Sequence, residues 1–247
     1  MRGSASYVPH KKKDRAVDED EEWIKYRERF SEVYDKSNYS SLFQRLAMQS
    51  SHKLLERPIL SSHDYGMVIE VGAGTGEHLR FVRHRFEEYV LTDQDSKALS
   101  IASQKHASLT KAKLTFKVQE GSNLDYPDKS FDRLIATHVL EHIYQLQIAL
   151  KEWRRVLKPG GLLSILIPTD PGLAWRLGRS LGPRRNAKAL GIPYDYIMAR
   201  EHVNSCNNLV SLLRYYFKNA SETWWPLRVP AIDLNLFFAF HATIEKS

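Results

Sequence analysis

The most informative stretch of the chain is Val68-Ile69-Glu70-Val71-Gly72-Ala73-Gly74-Thr75-Gly76-Glu77. Its apolar first half is typical of a buried strand, and its alternate glycines are typical of a tight turn that leads into a helix. Glycine permits positive φ and lets a ligand approach main-chain N–H groups, because no Cβ is in the way. Alone, the stretch is compatible with a nucleotide-like cofactor site and with a tight turn that binds nothing. The rest of the chain distinguishes the two.

Strand and helix patterns alternate around and after this turn. Short runs of Val, Ile and Leu predict parallel strands that are buried on both faces. The predicted strands are Met67–Val71, Tyr89–Thr92, Leu114–Val118, Arg133–Thr137 and Leu162–Pro168. The predicted helices between them are Glu77–Phe86, Ser96–His106 and Tyr144–Leu157. This alternation predicts an α/β fold with a Rossmann-like, doubly wound sheet.

The ends of the chain add further elements to this core. Residues 1–20 are highly charged and have no periodicity, which predicts a disordered tail. Two amphipathic segments predict a helical cap over residues 21–60, namely Glu22–Lys36 and Tyr39–Glu56. A helix and then a C-terminal antiparallel hairpin are predicted at Ser205–Phe217, Ala220–Trp225 and Asn235–Thr243. We therefore predict one domain over 21–247, in which residues 171–204 are inserted as a lid.

Composition limits the class of protein. The chain has 247 residues, a net charge of +7 and one cysteine, Cys206, which excludes an intrachain disulfide and a zinc site built from cysteines. No apolar run approaches the ~18 residues that a membrane span needs. The N-terminus lacks the apolar region of a secretory signal, so the predicted location is the cytoplasm.

Positive charge is concentrated in the predicted lid. Between Pro171 and Tyr194 the chain has five basic residues and no Asp or Glu; they are Arg176, Arg179, Arg184, Arg185 and Lys188. Arginine is well suited to bidentate capture of phosphate or carboxylate. The segment therefore predicts an anionic partner or substrate, and the alternative is an ordinary solvated surface.

Polar motifs follow the successive strands. Asp93 ends the second strand about twenty residues after the glycine turn, where an acid can accept both hydroxyls of a ribose. Glu120-Gly121-Ser122 follows the third strand, and His138-Val139-Leu140-Glu141-His142 follows the fourth. A Leu157-Lys158-Pro159-Gly160-Gly161 turn then leads into the fifth. Because the carboxyl ends of parallel strands share one edge of a sheet, these motifs are predicted to meet there.

Taken together and in this order, the motifs resemble the class I S-adenosylmethionine-dependent methyltransferase family over residues 67–168. The resemblance implies that S-adenosylmethionine is the cofactor and that the glycine turn wraps its methionine and ribose parts. It also implies that Asp93 binds the ribose diol, and that Glu120 with the Gly121 N–H binds the adenine edge. The cofactor-binding residues implied are Glu70, Gly72, Gly74, Gly76, Asp93, Gln94, Glu120, Gly121 and His138.

Methyl transfer from a sulfonium needs mainly orientation, but a hydroxyl or protonated amine acceptor also needs a base. The candidates are His138, Glu141 and His142. Some relatives carry Glu-x-x-Glu-His here and bind a divalent metal through it. This chain has His138 in place of the first Glu; imidazole can ligate, and His202 could complete a set. We predict no metal.

Three function classes fit the resemblance. The first is methyl transfer to an O or N atom of a small-molecule, sugar or lipid-type acceptor, which the lid predicts to be anionic. The second is an RNA methyltransferase, which the positive charge favours, although no RNA-binding appendage is recognisable. The third is a protein that binds the cofactor without catalysis. The retention of Asp93 and Glu120 beside an intact glycine turn argues against the third.

Overall fold

The computed structural model describes residues 42–106 and 112–245. The helices are α1 (Leu42–Glu56), α2 (Ser96–His106), α3 (Leu146–Val156), α4 (Leu173–Leu181), α5 (Pro183–Ala189), α6 (Tyr194–Glu201) and α7 (Cys206–Tyr216). The strands are β1 (Asp64–Val71), β2 (Arg85–Asp93), β3 (Lys113–Val118), β4 (Phe131–Thr137), β5 (Leu157–Pro168), β6 (Ala220–Trp225) and β7 (Phe237–Thr243). The predicted tail, the predicted helix Glu22–Lys36 and the predicted start of the next helix at Tyr39 lie outside the described residues.

The strands form one sheet in the order β3-β2-β1-β4-β5-β7-β6. Its first five strands are parallel, whereas β7 runs antiparallel to both β5 and β6. The predicted Rossmann-like sheet with a C-terminal antiparallel pair is therefore confirmed. The strand order reverses between β1 and β4, and in open α/β sheets ligands bind at the carboxyl edge beside this point.

Both faces of the sheet are covered by helices. Along β1, Ile69 and Val71 belong to one core, whereas Val68 between them belongs to the other, as the two-residue period of a strand requires. Helices α3 and α7 supply buried side chains to the first core, and α1 and α2 supply them to the second. Continuous apolar strands were needed because neither face is open to solvent.

The predicted helix Glu77–Phe86 is wrong. A single 3-10 turn spans Glu77–Phe81, and β2 already begins at Arg85. The register pairs Arg85 with Asp64, the first residue of β1, so β2 extends along the whole of its neighbour. Too few residues remain for a longer helix before the chain must enter β2.

A buried polar network joins α1 to the sheet. Arg133 of β4 donates to both carboxylate oxygens of Glu56, at 3.1 and 2.6 Å, and His78 Nε2 lies 3.0 Å from the same carboxylate. Ser164 on β5 accepts a further bond from Arg133 Nε at 3.1 Å. These contacts hold the end of α1 against β4, so that Ser51, one turn earlier in α1, lies near the carboxyl end of that strand.

The segment predicted to be a lid contains α4, α5 and α6. It contacts α1 where the backbone of Gly182 lies against the Gln44 side chain. Whether the segment acts as a lid stays a prediction. No helix within residues 42–106 and 112–245 is long and apolar enough to cross a membrane.

Candidate functional site

The glycine turn after β1 has the conformation that its sequence requires. Gly72, Gly74 and Gly76 have φ values of 68°, 52° and 74°. A Cβ at Gly72 would lie 2.3 Å from Val139, and one at Gly76 would lie 2.9 Å from His106, so these two positions allow close packing. A Cβ at Gly74 would meet no atom within 4 Å. Gly74 therefore borders open space, where a ligand can approach the turn.

Asp93 lies directly beside this open position. Its Oδ2 accepts the N–H of Gly74 at 2.8 Å, and its Oδ1 accepts the N–H of Asp95 at 2.9 Å. The side chain is only half-buried, and each carboxylate oxygen can accept more than one bond. Asp93 can therefore shape the turn and still accept ribose hydroxyls. Gln94 is exposed next to it.

The loop after β3 lies next to Asp93. The Gln119 N–H donates to the Asp93 carbonyl at 3.0 Å, which brings Glu120 to the same edge. The Glu120 side chain is exposed, and its carbonyl accepts the Asn123 N–H at 3.0 Å. Trp153 of α3 donates from Nε1 to the Gly121 carbonyl at 2.7 Å. The predicted adenine-binding loop is therefore ordered by contacts within the protein.

Glu70 lies below the turn, and its carboxylate is bonded within the protein. Glu70 is 1 % exposed, and its Oε2 accepts a hydrogen bond from the Tyr89 hydroxyl at 2.7 Å. Burial raises the pKa of Glu70. The Thr92 hydroxyl donates to the Glu70 carbonyl at 3.0 Å, which ties the end of β1 to β2. The structure thus assigns Glu70 to supporting the turn, and its contact with the cofactor stays a prediction.

His138 follows β4 in a left-handed conformation, with a φ of 57°. Such a φ is uncommon for a residue other than glycine and is found at functional turns. The His138 N–H donates to the Leu166 carbonyl at 2.8 Å, and its Nε2 lies 3.4 Å from the Ser51 hydroxyl. Burial, together with the charges of His142 and His202, lowers the pKa of His138 to about 3. Its ring is therefore neutral near pH 7.

Glu141 is a buried carboxyl between two imidazoles. Its Oε1 lies 3.9 Å from His138 Nδ1 and 4.0 Å from His142 Nε2. Its Oε2 is buried and has no hydrogen-bond partner among the described residues. Burial raises the pKa of Glu141 to about 7, so the carboxyl is partly protonated at neutral pH. The structure therefore brings the three predicted catalytic residues together in one turn.

The segment predicted to be a lid supplies groups to this turn that sequence reasoning missed. The Glu201 carbonyl accepts a bond from His142 Nδ1 at 2.9 Å. Asn204 Nδ2 donates to the Leu140 and Ile143 carbonyls at 2.9 and 2.7 Å.

Asp170, just before this segment, is a further residue that sequence reasoning missed. It follows the end of β5 and accepts a hydrogen bond from His202. Its place after a strand could have identified it, as it did Asp93, whereas Asn204 carried no local signal.

The arginine-rich segment is less positive than its sequence indicates, because acids just outside it pair with its arginines. Arg179 donates to Asp170 at 3.1 Å, and Arg184 donates to Asp195 at 2.5 Å. Other cations of the segment remain exposed without an ion pair among the described residues, namely Arg176, Arg185 and Lys188. Arg185 is thus a stronger candidate than Arg184 for binding an anion. In the part of the chain that the structure describes, no group of three or more His, Cys, Asp or Glu could hold a metal.

Comparison with known proteins finds relatives of this core. Residues 69–165 match the family described as "Methyltransferase domain". The PKS-NRPS hybrid synthetase cheA of Chaetomium globosum is 33 % identical over 149 residues, which are 57 % of this chain but 3 % of that protein. The demethylmenaquinone methyltransferase of Tropheryma whipplei is 30 % identical over 138 residues, 56 % of this chain and 55 % of the enzyme. The chain therefore spans about half or less of these two relatives.

A solved structure agrees in fold. The N-methyltransferase NodS of Bradyrhizobium japonicum, in complex with S-adenosyl-L-homocysteine, superposes with a TM-score of 0.55 and 17 % identity. The match covers 80 % of this chain and 87 % of that structure.

Proposed function

We propose that the chain, whose residues 69–165 match the methyltransferase domain family, is a class I S-adenosylmethionine-dependent methyltransferase that methylates an oxygen or nitrogen atom of a small-molecule acceptor. One observation carries the proposal. The glycine turn borders open space at Gly74, and the Gly74 N–H donates a hydrogen bond to Asp93 Oδ2 at 2.8 Å. The other two glycines of the turn face Val139 and His106, so Gly74 is the position of this turn at which a ligand can approach the main chain.

The residues at the carboxyl edge fit S-adenosylmethionine as the methyl donor. Asp93 has free acceptor capacity for the ribose diol, and the exposed Glu120 lies on the neighbouring loop for the adenine edge. The open space at Gly74 would take the ribose and methionine parts, beside the turn that begins at His138. The bound donor supplies a methyl group on a positively charged sulfur, which an acceptor lone pair can attack directly. The protein has to hold the two in line and exclude water.

The turn after β4 would line the point of transfer. His138 is neutral and Glu141 is partly protonated near pH 7, so both can shape the site without placing a full charge beside the sulfonium. His142 donates from Nδ1 to the Glu201 carbonyl, which leaves its Nε2 able to accept a proton. We assign His142 to orienting the acceptor through Nε2 and not to removing its proton.

The acceptor is proposed to be anionic because Arg176, Arg185 and Lys188 are exposed on the segment that also supplies Glu201 and Asn204 to the turn after β4. A second candidate acceptor is a quinone-type ring, since a relative is named a demethylmenaquinone methyltransferase. A screen with radiolabelled S-adenosylmethionine against anionic small molecules and reduced naphthoquinones would separate the two.

Calorimetry with S-adenosylmethionine and S-adenosylhomocysteine tests the proposal. Asp93→Ala should weaken both by about 1–3 kcal/mol, because an acceptor for bound hydroxyls is lost; this corresponds to about 5- to 150-fold in Kd. Asp95→Ala is the matched control, since the Asp95 side chain accepts bonds from the start of α2, at the N–H groups of Lys97 and Ala98, and the substitution keeps the Asp95 N–H that donates to Asp93. Absence of binding by the wild type, or equal affinities in the two variants, would refute the assignment.

A further inference from the structure

Asp170 is a largely buried acid at the carboxyl edge that the reaction described above does not use. It follows the end of β5 by two residues. Its Oδ2 accepts bonds from His202 Nδ1 at 2.7 Å and from Arg179 Nη1 at 3.1 Å. Its carbonyl also accepts the Cys206 N–H at 2.8 Å. Asp170 therefore joins α4, the end of α6 and the start of α7 at one point.

The bond to Asp170 fixes the state of the His202 ring. Burial alone would raise the pKa of Asp170, but the hydrogen bond and charge of His202 and the charge of Arg179 lower it. An ionised carboxylate can only accept, so His202 Nδ1 carries the hydrogen and Nε2 is left with a lone pair. An imidazole held in this way by a carboxylate is oriented for Nε2 to take a proton, because the carboxylate stabilises the imidazolium that forms.

Among the three imidazoles of this cluster, His202 has the environment that best suits a proton acceptor. The pKa of His138 is lowered to about 3, so its ring accepts a proton poorly. His142 donates to a neutral carbonyl, whereas His202 donates to a carboxylate. The rings of His142 and His202 are 5.0 Å apart and perpendicular, so His202 lies in the same group of side chains as the turn after β4.

We infer that His202 is the general base of the reaction, that Asp170 is its positioning residue, and that the acceptor is a compound that loses a proton as it is methylated, as a phenol does. The inference rests on the proposed function and names its acceptor class. A tertiary amine or a thioether has no proton to lose and would leave the Asp170–His202 pair without a purpose.

The proposed step needs only His202, the acceptor and the methyl donor. His202 Nε2 takes the proton of the acceptor hydroxyl, and the oxygen lone pair forms the new bond to the methyl carbon. The bond between that carbon and sulfur breaks, and its electron pair stays on sulfur. Positive charge thus passes from the sulfonium to the imidazolium, which afterwards releases its proton to water.

p-Nitrophenol is a direct probe of the proton transfer, because only its ionised form absorbs strongly in the visible range. The full chain, saturated with S-adenosylhomocysteine, is mixed with the phenol at a pH about one unit below the phenol's own pKa, where most of the free phenol is neutral. The wild type should convert bound phenol to phenolate. His202→Gln should abolish this signal, and Asp170→Asn should reduce it while Asp170→Glu restores part of it.

Controls separate this inference from the proposed function. His63→Gln removes an exposed imidazole that precedes β1 at the opposite edge of the sheet and should match the wild type. Calorimetry should show unchanged S-adenosylhomocysteine affinity in His202→Gln, and circular dichroism checks folding. If the wild type binds S-adenosylhomocysteine but gives no phenolate, or if His202→Gln gives as much as the wild type, the inference is wrong while the proposed function stands. If the wild type does not bind S-adenosylhomocysteine, both are wrong.

Discussion

Replacing Glu56 with Gln tests how α1 is held on the sheet. Arg133 is 0 % exposed and Glu56 2 % exposed, and three hydrogen bonds reach this carboxylate from Arg133 and His78. Gln has nearly the same shape but no charge, and its amide nitrogen cannot accept from either donor. The variant therefore leaves the Arg133 charge buried without a counter-ion. Removing one partner of a buried pair typically costs about 3–5 kcal/mol, which is the expected loss in the free energy of unfolding.

The chain contains a matched control for this variant. Arg214 also makes two bonds to one carboxylate, Glu222, both at 2.7 Å, but its side chain is 55 % exposed. Glu222→Gln should cost no more than about 1 kcal/mol, because water screens and solvates an exposed pair. Urea unfolding measures both values. Equal losses in the two variants would refute the argument that burial sets the magnitude.

A double variant and pH provide independent checks. Arg133→Met added to Glu56→Gln should recover much of the lost stability, because no unpaired charge then remains buried.

Burial alone would raise the pKa of Glu56, but Arg133 and His78 lower it from its ordinary value of 4.5. Since the folded-state pKa is depressed, this stabilisation is complete above pH 4.5 and is lost as the pH falls further. Glu56→Gln should abolish that part of the acid dependence.

Three further predictions concern the site. Arg185→Ala should raise the acceptor KM and leave S-adenosylmethionine affinity unchanged. Arg184→Ala removes a cation that is already paired with Asp195, so it should change the acceptor KM little. Equal steady-state kinetics in both variants would count against an anionic acceptor. Chelators should not reduce turnover, and activity lost to a chelator and restored by one divalent metal would show that the prediction of no metal is wrong. Asn204→Ala should lower the free energy of unfolding in urea by about 1–3 kcal/mol, because two carbonyls of the turn after β4 lose their donor; an unchanged value would mean that other contacts hold that turn.

The sequence predicted those parts of the fold that depend on local patterns. The apolar run of β1 and the helical stripe of α3 are each contained within a dozen residues, and both were identified with errors only at their ends. The glycine turn was identifiable because positive φ at three positions almost demands glycine. The position of Asp93 followed from the rule that strand ends meet at one edge of a sheet.

What the sequence did not predict depends on contacts between distant residues. The helix predicted after Gly76 is only a 3-10 turn, because the pairing of Arg85 with Asp64 takes up residues that a longer helix would need. Glu56 and Arg133 are 77 residues apart, and Asp170 and His202 are 32 apart. No local signal marks either pair.

The charge of the segment predicted to be a lid shows the same limit at shorter range. Counting charges only between Pro171 and Tyr194 missed both acids that pair with its arginines, since Asp170 and Asp195 are the residues immediately outside. The structure reduces the set of cations free to bind an anion, and the choice of Arg185 follows from that correction.

If the open position in the glycine turn receives the methyl donor, two glycines should respond differently to the same substitution. Gly74 and Gly191 have φ values of 52° and 66°, and a Cβ at either would meet no atom within 4 Å. Alanine at each should therefore cost a similar ~1–2 kcal/mol of backbone strain. Calorimetry should show that Gly74→Ala loses S-adenosylmethionine binding while Gly191→Ala retains it. Wild-type affinity in a folded Gly74→Ala protein would show that the methyl donor does not bind at this turn.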